Sequence, residues 1–184
     1  MNTANKLTIL RIVLIPFFIL CFYIDALDQP FTIAHFHATY AHIIALLIFS
    51  VAAATDWLDG YLARKLSLVS DFGKFMDPLA DKMLTTAAFL IFINQGLLAS
   101  WVVFIILTRE FIVSGLRMTA AAKGIVIAAG WSGKLKTILQ FILVIALLIH
   151  PELTVVNIVL IYAMVIATVV SGAEYVIKNK IVLK

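Results

Sequence analysis

Residues 153–176 read LTVVNIVLIYAMVIATVVSGAEYV, with a single formal charge at Glu174. A helix needs about 20 apolar residues to cross the hydrocarbon of a bilayer, so this stretch is long enough to span one. Five more runs share its character, at about 7–24, 38–58, 75–94, 97–121 and 132–149. The chain of 184 residues is 64% hydrophobic and 13% charged, with a mean hydropathy of +1.10. Soluble globular domains run at about 45–50% and about 25%. A soluble fold of this size cannot hide so much apolar surface, and a disordered chain is poor in it. Lipid is therefore the expected solvent, which leaves helices or a closed barrel. Unbroken runs, rather than alternation over about ten residues, favour helices. The sequence predicts an all-α integral membrane bundle of six transmembrane helices in a single domain, 1–184. Its connectors are short, the longest being 60–74, so neighbouring helices run antiparallel.

The placement of charge orients the bundle. With the N-terminus in the cytoplasm, all 14 Lys and Arg fall on the inner side, from Lys6 and Arg11 to Lys180 and Lys184. The outer connectors carry Asp25, Asp28, His35, His37, His42, His150 and Glu152. This asymmetry follows the positive-inside rule and predicts cytoplasmic termini and a cytoplasm-facing site. Lys6 and Arg11 before an apolar run also suggest a signal peptide, but no small-residue cleavage site follows cleanly, so 7–24 reads as a first membrane helix. The histidines at 35, 37 and 42 read as an interfacial loop. Trp57, Trp101 and Trp131 read as interface anchors. Cys21, the one cysteine, reads as an inert packing residue.

Four aspartates interrupt the apolar pattern. Asp56 and Asp59 end the second run, and Asp77 and Asp81 open the third. Spacings of three and four place each pair on one helical face. Carboxylates at membrane depth repel one another and cost several kcal/mol if unpaired (order of magnitude,). Divalent cations relieve that cost, and an all-oxygen donor set suits Mg²⁺, Mn²⁺ or Ca²⁺. Pairing with Arg64, Lys65, Lys74 and Lys82 in a solvated cluster is the structural alternative. Gly60 and Ala63 share a face with the first pair. They leave room either for a bulky ligand or for close helix packing.

The full string, Asp56-x2-Asp59-Gly60-x2-Ala63-Arg64-x8-Gly73-x3-Asp77-x3-Asp81, resembles the signature of the CDP-alcohol phosphotransferases in every position and gap. Asn5-Lys6-Leu7-Thr8-x2-Arg11 is similar to the family's N-terminal segment. The resemblance implies a membrane domain that moves a phosphatidyl group from a CDP-linked lipid to an alcohol and releases CMP. It implies that Asp56, Asp59 and Asp77 hold one or two divalent metals, Mg²⁺ or Mn²⁺. Asp81 would complete that site or act as the catalytic base. Thr8, Gly60, Ala63, Arg64 and Gly73 would bind the CDP-lipid. It also implies a homodimer in a bacterial-type plasma membrane, with membrane lipid as its other partner and no nucleic acid.

A second constellation is basic. Arg109 and Arg117 stand eight residues apart inside the fourth run, and Lys134 and Lys136 open the fifth. Arg and Lys set into an apolar run suit a phosphorylated acceptor, because guanidinium grips phosphate bidentately. Snorkelling to headgroups accounts better for Lys123, Lys178, Lys180 and Lys184. Thr108-Arg109-Glu110, Ser114-x2-Arg117 and Ser132-Gly133-Lys134-x-Lys136-Thr137 resemble the branch of the family whose acceptor is sn-glycerol 3-phosphate. Glu110 either orients Arg109 or balances its charge. Three rivals stay open: the same chemistry on another acceptor (inositol phosphate or phosphatidylglycerol), an ion-coupled transporter, and an intramembrane prenyltransferase.

Overall fold

The computed structural model describes the backbone of residues 3–33, 36–66, 71–125, 127 and 130–180, and the side chains of 8–30, 38–55, 82–125, 127 and 130–180. Six α-helices lie among the described residues: α1 (Thr3–Leu20), α2 (Tyr40–Leu66), α3 (Asp71–Asn94), α4 (Ser100–Ala122), α5 (Trp131–Ile149) and α6 (Val155–Lys178). Each corresponds to one expected apolar run. Two differences concern the connections. The chain leaves α1 at Leu20, passes through a short 3₁₀ turn at Asp25–Leu27, and forms an antiparallel hairpin of β1 (Pro30–Ile33) and β2 (Phe36–Thr39). An all-helical reading did not include that hairpin. The expected loop 60–74 is largely helical instead, because α2 continues through Ala63-Arg64-Lys65-Leu66 and α3 begins at Asp71. Residues 61–66 hold no Gly or Pro to stop the helix, and an acidic first residue suits the positive end of α3.

The buried stripe of α1 is Thr8, Arg11, Ile15 and Phe18, a spacing of three and four that keeps one face inward. That helix packs against both α2 and α3. The facing stripe of α2 is Ala41, Ala45, Phe49 and Ala52. Its small residues let backbones approach closely, as membrane helices require. Phe49 meets Phe18 at 6.5 Å and Phe141 of α5 at 5.5 Å between ring centroids. Leu143, Val144, Leu147 and Leu148 extend this core along α5. Helix α6 packs on α5 and α4.

The helix ends are closed by local chemistry. Gly96 (φ +73°) ends α3 and Gly124 (φ +71°) ends α4 in left-handed conformations. Leu97 N–H then donates to Phe92 O at 2.8 Å and Ile125 N–H to Ala120 O at 2.9 Å, the six-to-one bond of a Schellman cap. Between α5 and α6, buried Asn157 donates through Nδ2 to His150 O at 3.0 Å and Glu152 O at 2.6 Å. Thr154 caps α6 by accepting from Asn157 N–H at 3.2 Å.

Helices α5 and α6 are long and apolar enough to cross a membrane, and shorter apolar stretches occupy Thr8–Leu20, Tyr40–Thr55 and Lys82–Asn94. Large apolar side chains face outward: Phe104 and Phe111 on α4, and Val155, Val159, Ile166 and Val170 on α6. Such a surface belongs in lipid rather than water.

Several smaller expectations have outcomes here. Trp101 and Trp131 are exposed near the starts of α4 and α5, as interface anchors should be; the Trp57 side chain lies outside the described residues. Cys21 is buried, with its thiol on Phe17 O at 3.2 Å. His42 corrects the loop reading. It is buried in the first turn of α2, with Nδ1 2.8 Å from Thr39 Oγ1 and Nε2 3.1 Å from Gln95 Nε2. Its polar atoms are satisfied by neighbours that only the tertiary fold supplies. His35 and the His37 side chain lie outside the described residues.

Candidate active site

The carboxylates stand where their spacing put them in the chain. Asp56, Asp59, Gly60, Ala63 and Arg64 belong to α2, and Gly73, Asp77 and Asp81 belong to α3. Their side chains, expected to hold metal and CDP-lipid, lie outside the described residues. Two facts bear on them from the described part. The connector between Leu66 and Asp71 limits the separation of the two helix ends to about 18 Å. And α1, which packs against both helices, carries Thr8 and Arg11 fully buried on its inner face.

The basic residues can be followed atom by atom. Arg109, Arg117, Lys134 and Lys136 line one cavity of about 1700 Å³, together with Lys82 of α3. Apolar side chains, among them Ile15, Ile19, Met83, Phe89, Leu90 and Phe141, complete its lining. Lys82 directly follows Asp81 in the chain, so α3 joins the cavity to the acidic segment.

Glu110 gathers three of these cations. Its Oε1 accepts from Arg109 Nη1 at 3.1 Å and from Lys136 Nζ, and its Oε2 lies 3.5 Å from Lys82 Nζ. Three helices thus bring cations to one carboxylate. Both open readings of Glu110 are met: it orients Arg109 and balances charge. Lys136 is buried, with 4% of its side chain exposed, and an ammonium so placed needs an anion. Lys82 also donates to Ser114 Oγ.

Arg109 is fixed on every side. Its Nε donates to Ser171 Oγ of α6 at 3.2 Å. A Cβ on Gly172 would stand 3.0 Å from Arg109 Cγ, and one on Gly133 3.4 Å from its Nη2. The Ser132-Gly133 and Ser171-Gly172 steps therefore make room for this side chain. Arg117 donates through Nε to Tyr175 Oη at 3.1 Å, and its Cζ lies 5.6 Å from the Tyr175 ring centroid, within cation–π range. Neither Arg117 nor Lys134 pairs with a carboxylate among the described residues. Lys178, read as headgroup-facing, pairs with Glu174 and sits at the cavity rim.

Sequence reasoning missed Lys82 as a wall residue, and Ser171, Gly172 and Tyr175 on α6. The signal was the polar cluster Ser171-Gly172-x-Glu174-Tyr175 at the end of an otherwise apolar run.

A family model described as CDP-alcohol phosphatidyltransferase matches residues 1–171. The chain belongs to the CDP-alcohol phosphatidyltransferase family. Among similar members, a CDP-diacylglycerol–glycerol-3-phosphate 3-phosphatidyltransferase of Bacillus subtilis (strain 168) is 43% identical, over 100% of this chain and 97% of the relative. A protein of the same name from Escherichia coli (strain K12) is 36% identical over 95% of this chain and 92% of its own length. A probable phosphatidylglycerophosphate synthase of Mycobacterium tuberculosis (strain ATCC 25618 / H37Rv) is 39% identical over 95% and 80%. As a member of the CDP-alcohol phosphatidyltransferase family, the chain is a transferase. The family works with divalent metal in general, and aspartates on α2 and α3, with oxygen donors alone, are of the chemistry that suits a hard divalent cation.

Proposed function

We propose that this protein transfers a phosphatidyl group from CDP-diacylglycerol to sn-glycerol 3-phosphate, giving phosphatidylglycerophosphate and CMP. The relatives' names support this reading. The observation that carries it is the cavity itself, which the four expected phosphate ligands line together with many apolar side chains. Six cations (Lys82, Arg109, Arg117, Lys134, Lys136 and Lys178) against two carboxylates (Glu110 and Glu174) give the lining net positive charge for a phosphorylated acceptor. The apolar part of the lining suits the acyl chains of the donor.

In this reading the whole chain, 1–184, works as one membrane domain crossing six times, with both termini and the site on the cytoplasmic side. It acts as a homodimer in a bacterial-type plasma membrane. Thr8, Gly60, Ala63, Arg64 and Gly73 hold the CDP-lipid. Asp56, Asp59, Asp77 and Asp81 hold Mg²⁺ or Mn²⁺, two ions, whose charge when bound offsets that of the diphosphate and of the leaving oxygen. Arg109, Arg117, Lys134 and Lys136 bind the acceptor phosphate and so place a free hydroxyl near the donor. Asp81 takes the hydroxyl proton as the oxygen attacks the lipid-bearing phosphorus. The new P–O bond forms in line as the P–O bond to CMP breaks, and CMP leaves with the electron pair. A covalent enzyme intermediate has no place in this scheme.

The test is CMP release by purified protein in detergent, with CDP-diacylglycerol, Mg²⁺ and one acceptor at a time. Release that needs glycerol 3-phosphate and stops with EDTA is the expected result. Release only with inositol phosphate or phosphatidylglycerol would keep the transferase and discard the acceptor.

A further inference from the structure

Phosphate recognition by two arginines requires that both guanidinium groups be held still before the ligand arrives, because each ordered side chain otherwise costs rotamer entropy on binding. A guanidinium has five N–H donors, one on Nε and four on the Nη pair. In this structure the Nε of each cavity arginine is taken by α6. Ser171 Oγ accepts from Arg109 at 3.2 Å and Tyr175 Oη from Arg117 at 3.1 Å. Ser171 and Tyr175 are four residues apart on one face of α6 and are both buried. Among the described residues, the Nη atoms of Arg117 have no hydrogen-bond partner. Arg109 commits Nη1 to Glu110. Gly172 stands between the two grips, with room for Arg109 but not for a Cβ without a shift.

We propose that Ser171 and Tyr175 are positioning residues for the acceptor phosphate: they hold Arg109 and Arg117 by Nε, which leaves both Nη groups of Arg117 and Nη2 of Arg109 for the ligand. This rests on the phosphate-acceptor reading above. It assigns to α6, whose one cation at the cavity is the Glu174-paired Lys178, the task of setting acceptor affinity. Loss of either grip frees the arginine to adopt other rotamers without removing its charge. The effect should therefore fall on the acceptor and spare the donor.

The experiment compares the wild-type protein with Tyr175→Phe, Ser171→Ala and, as a control, Tyr162→Phe, whose ring is exposed on α6 well before this face. Each is assayed for KM toward glycerol 3-phosphate and toward CDP-diacylglycerol, and for thermal protection by inorganic phosphate. The expected result for Tyr175→Phe is a rise of about tenfold in the glycerol 3-phosphate KM, the scale of one hydrogen bond to a charged group. The CDP-diacylglycerol KM should stay within about twofold, and protection by phosphate should weaken. Ser171→Ala should act in the same direction, and it carries the test alone if the phenylalanine variant does not fold. An unchanged glycerol 3-phosphate KM, or a parallel rise for both substrates, overturns the proposal. A folded wild-type protein that ignores glycerol 3-phosphate overturns the acceptor reading instead, so the two failures are told apart.

Discussion

Glu110 illustrates how a residue ambiguous in sequence becomes defined by its neighbours. Its carboxylate receives cations from α3, its own helix α4, and α5. Removing one partner of a buried ion pair leaves an uncompensated charge and costs about 3–5 kcal/mol. Glu110→Ala should therefore lower stability by about 3 kcal/mol, read from unfolding in detergent. Glu110→Gln keeps an oxygen acceptor for Lys136 and should cost less. An alanine variant as stable as the parent would mean that the three cations have other support. The aspartates call for a different readout. Asp77→Asn preserves size and removes charge, so it should cut turnover by about 10³-fold with little change in stability. Full activity would refute the metal assignment. The basic residues were legible because charge inside an apolar run is costly wherever it lies. Ser171 and Tyr175 were not, because their partners are 62 and 58 residues away in sequence. A hydroxyl in a helix gives no hint of which distant guanidinium it will meet.

At the level of elements, the helices were legible from length and apolar character. The places that differed are those where composition is neutral. Residues 61–66 are charged enough to look like a loop and helix-forming enough not to be one. The segment 30–39 is too short for a periodicity to declare itself, and its pairing of Pro30 with Thr39 and Ile33 with Phe36 is a hairpin outcome. Asn157 ties two carbonyls of the α5–α6 turn to the start of α6. Alanine there would leave both carbonyls without the amide. Asn157→Ala should cost about 2 kcal/mol while leaving both substrate KM values intact, since the turn lies at the opposite end of α5 from Lys134 and Lys136. A changed KM for either substrate would show that this end of the bundle is coupled to the cavity.

For the whole molecule, the deciding question is which face of the membrane the cavity meets. Glycerol 3-phosphate carries charge and does not cross lipid unaided, so the acceptor side must face its supply. The Lys and Arg asymmetry predicts that this side is cytoplasmic. The structure offers two exposed positions at opposite helix ends: Lys123 just after α4, and Glu152 between α5 and α6. Cys21 is buried, so it gives little background to a thiol reagent. A membrane-impermeant maleimide added to intact cells should label Glu152→Cys and leave Lys123→Cys untouched, and opening the cells should expose the second. The reverse pattern would place Arg109, Arg117, Lys134 and Lys136 outside the cell. It would also break the link between charge asymmetry and orientation on which the cytoplasmic site depends. Equal labelling of both positions in sealed cells would mean that α5 does not cross, and the bundle would then have fewer than six spans.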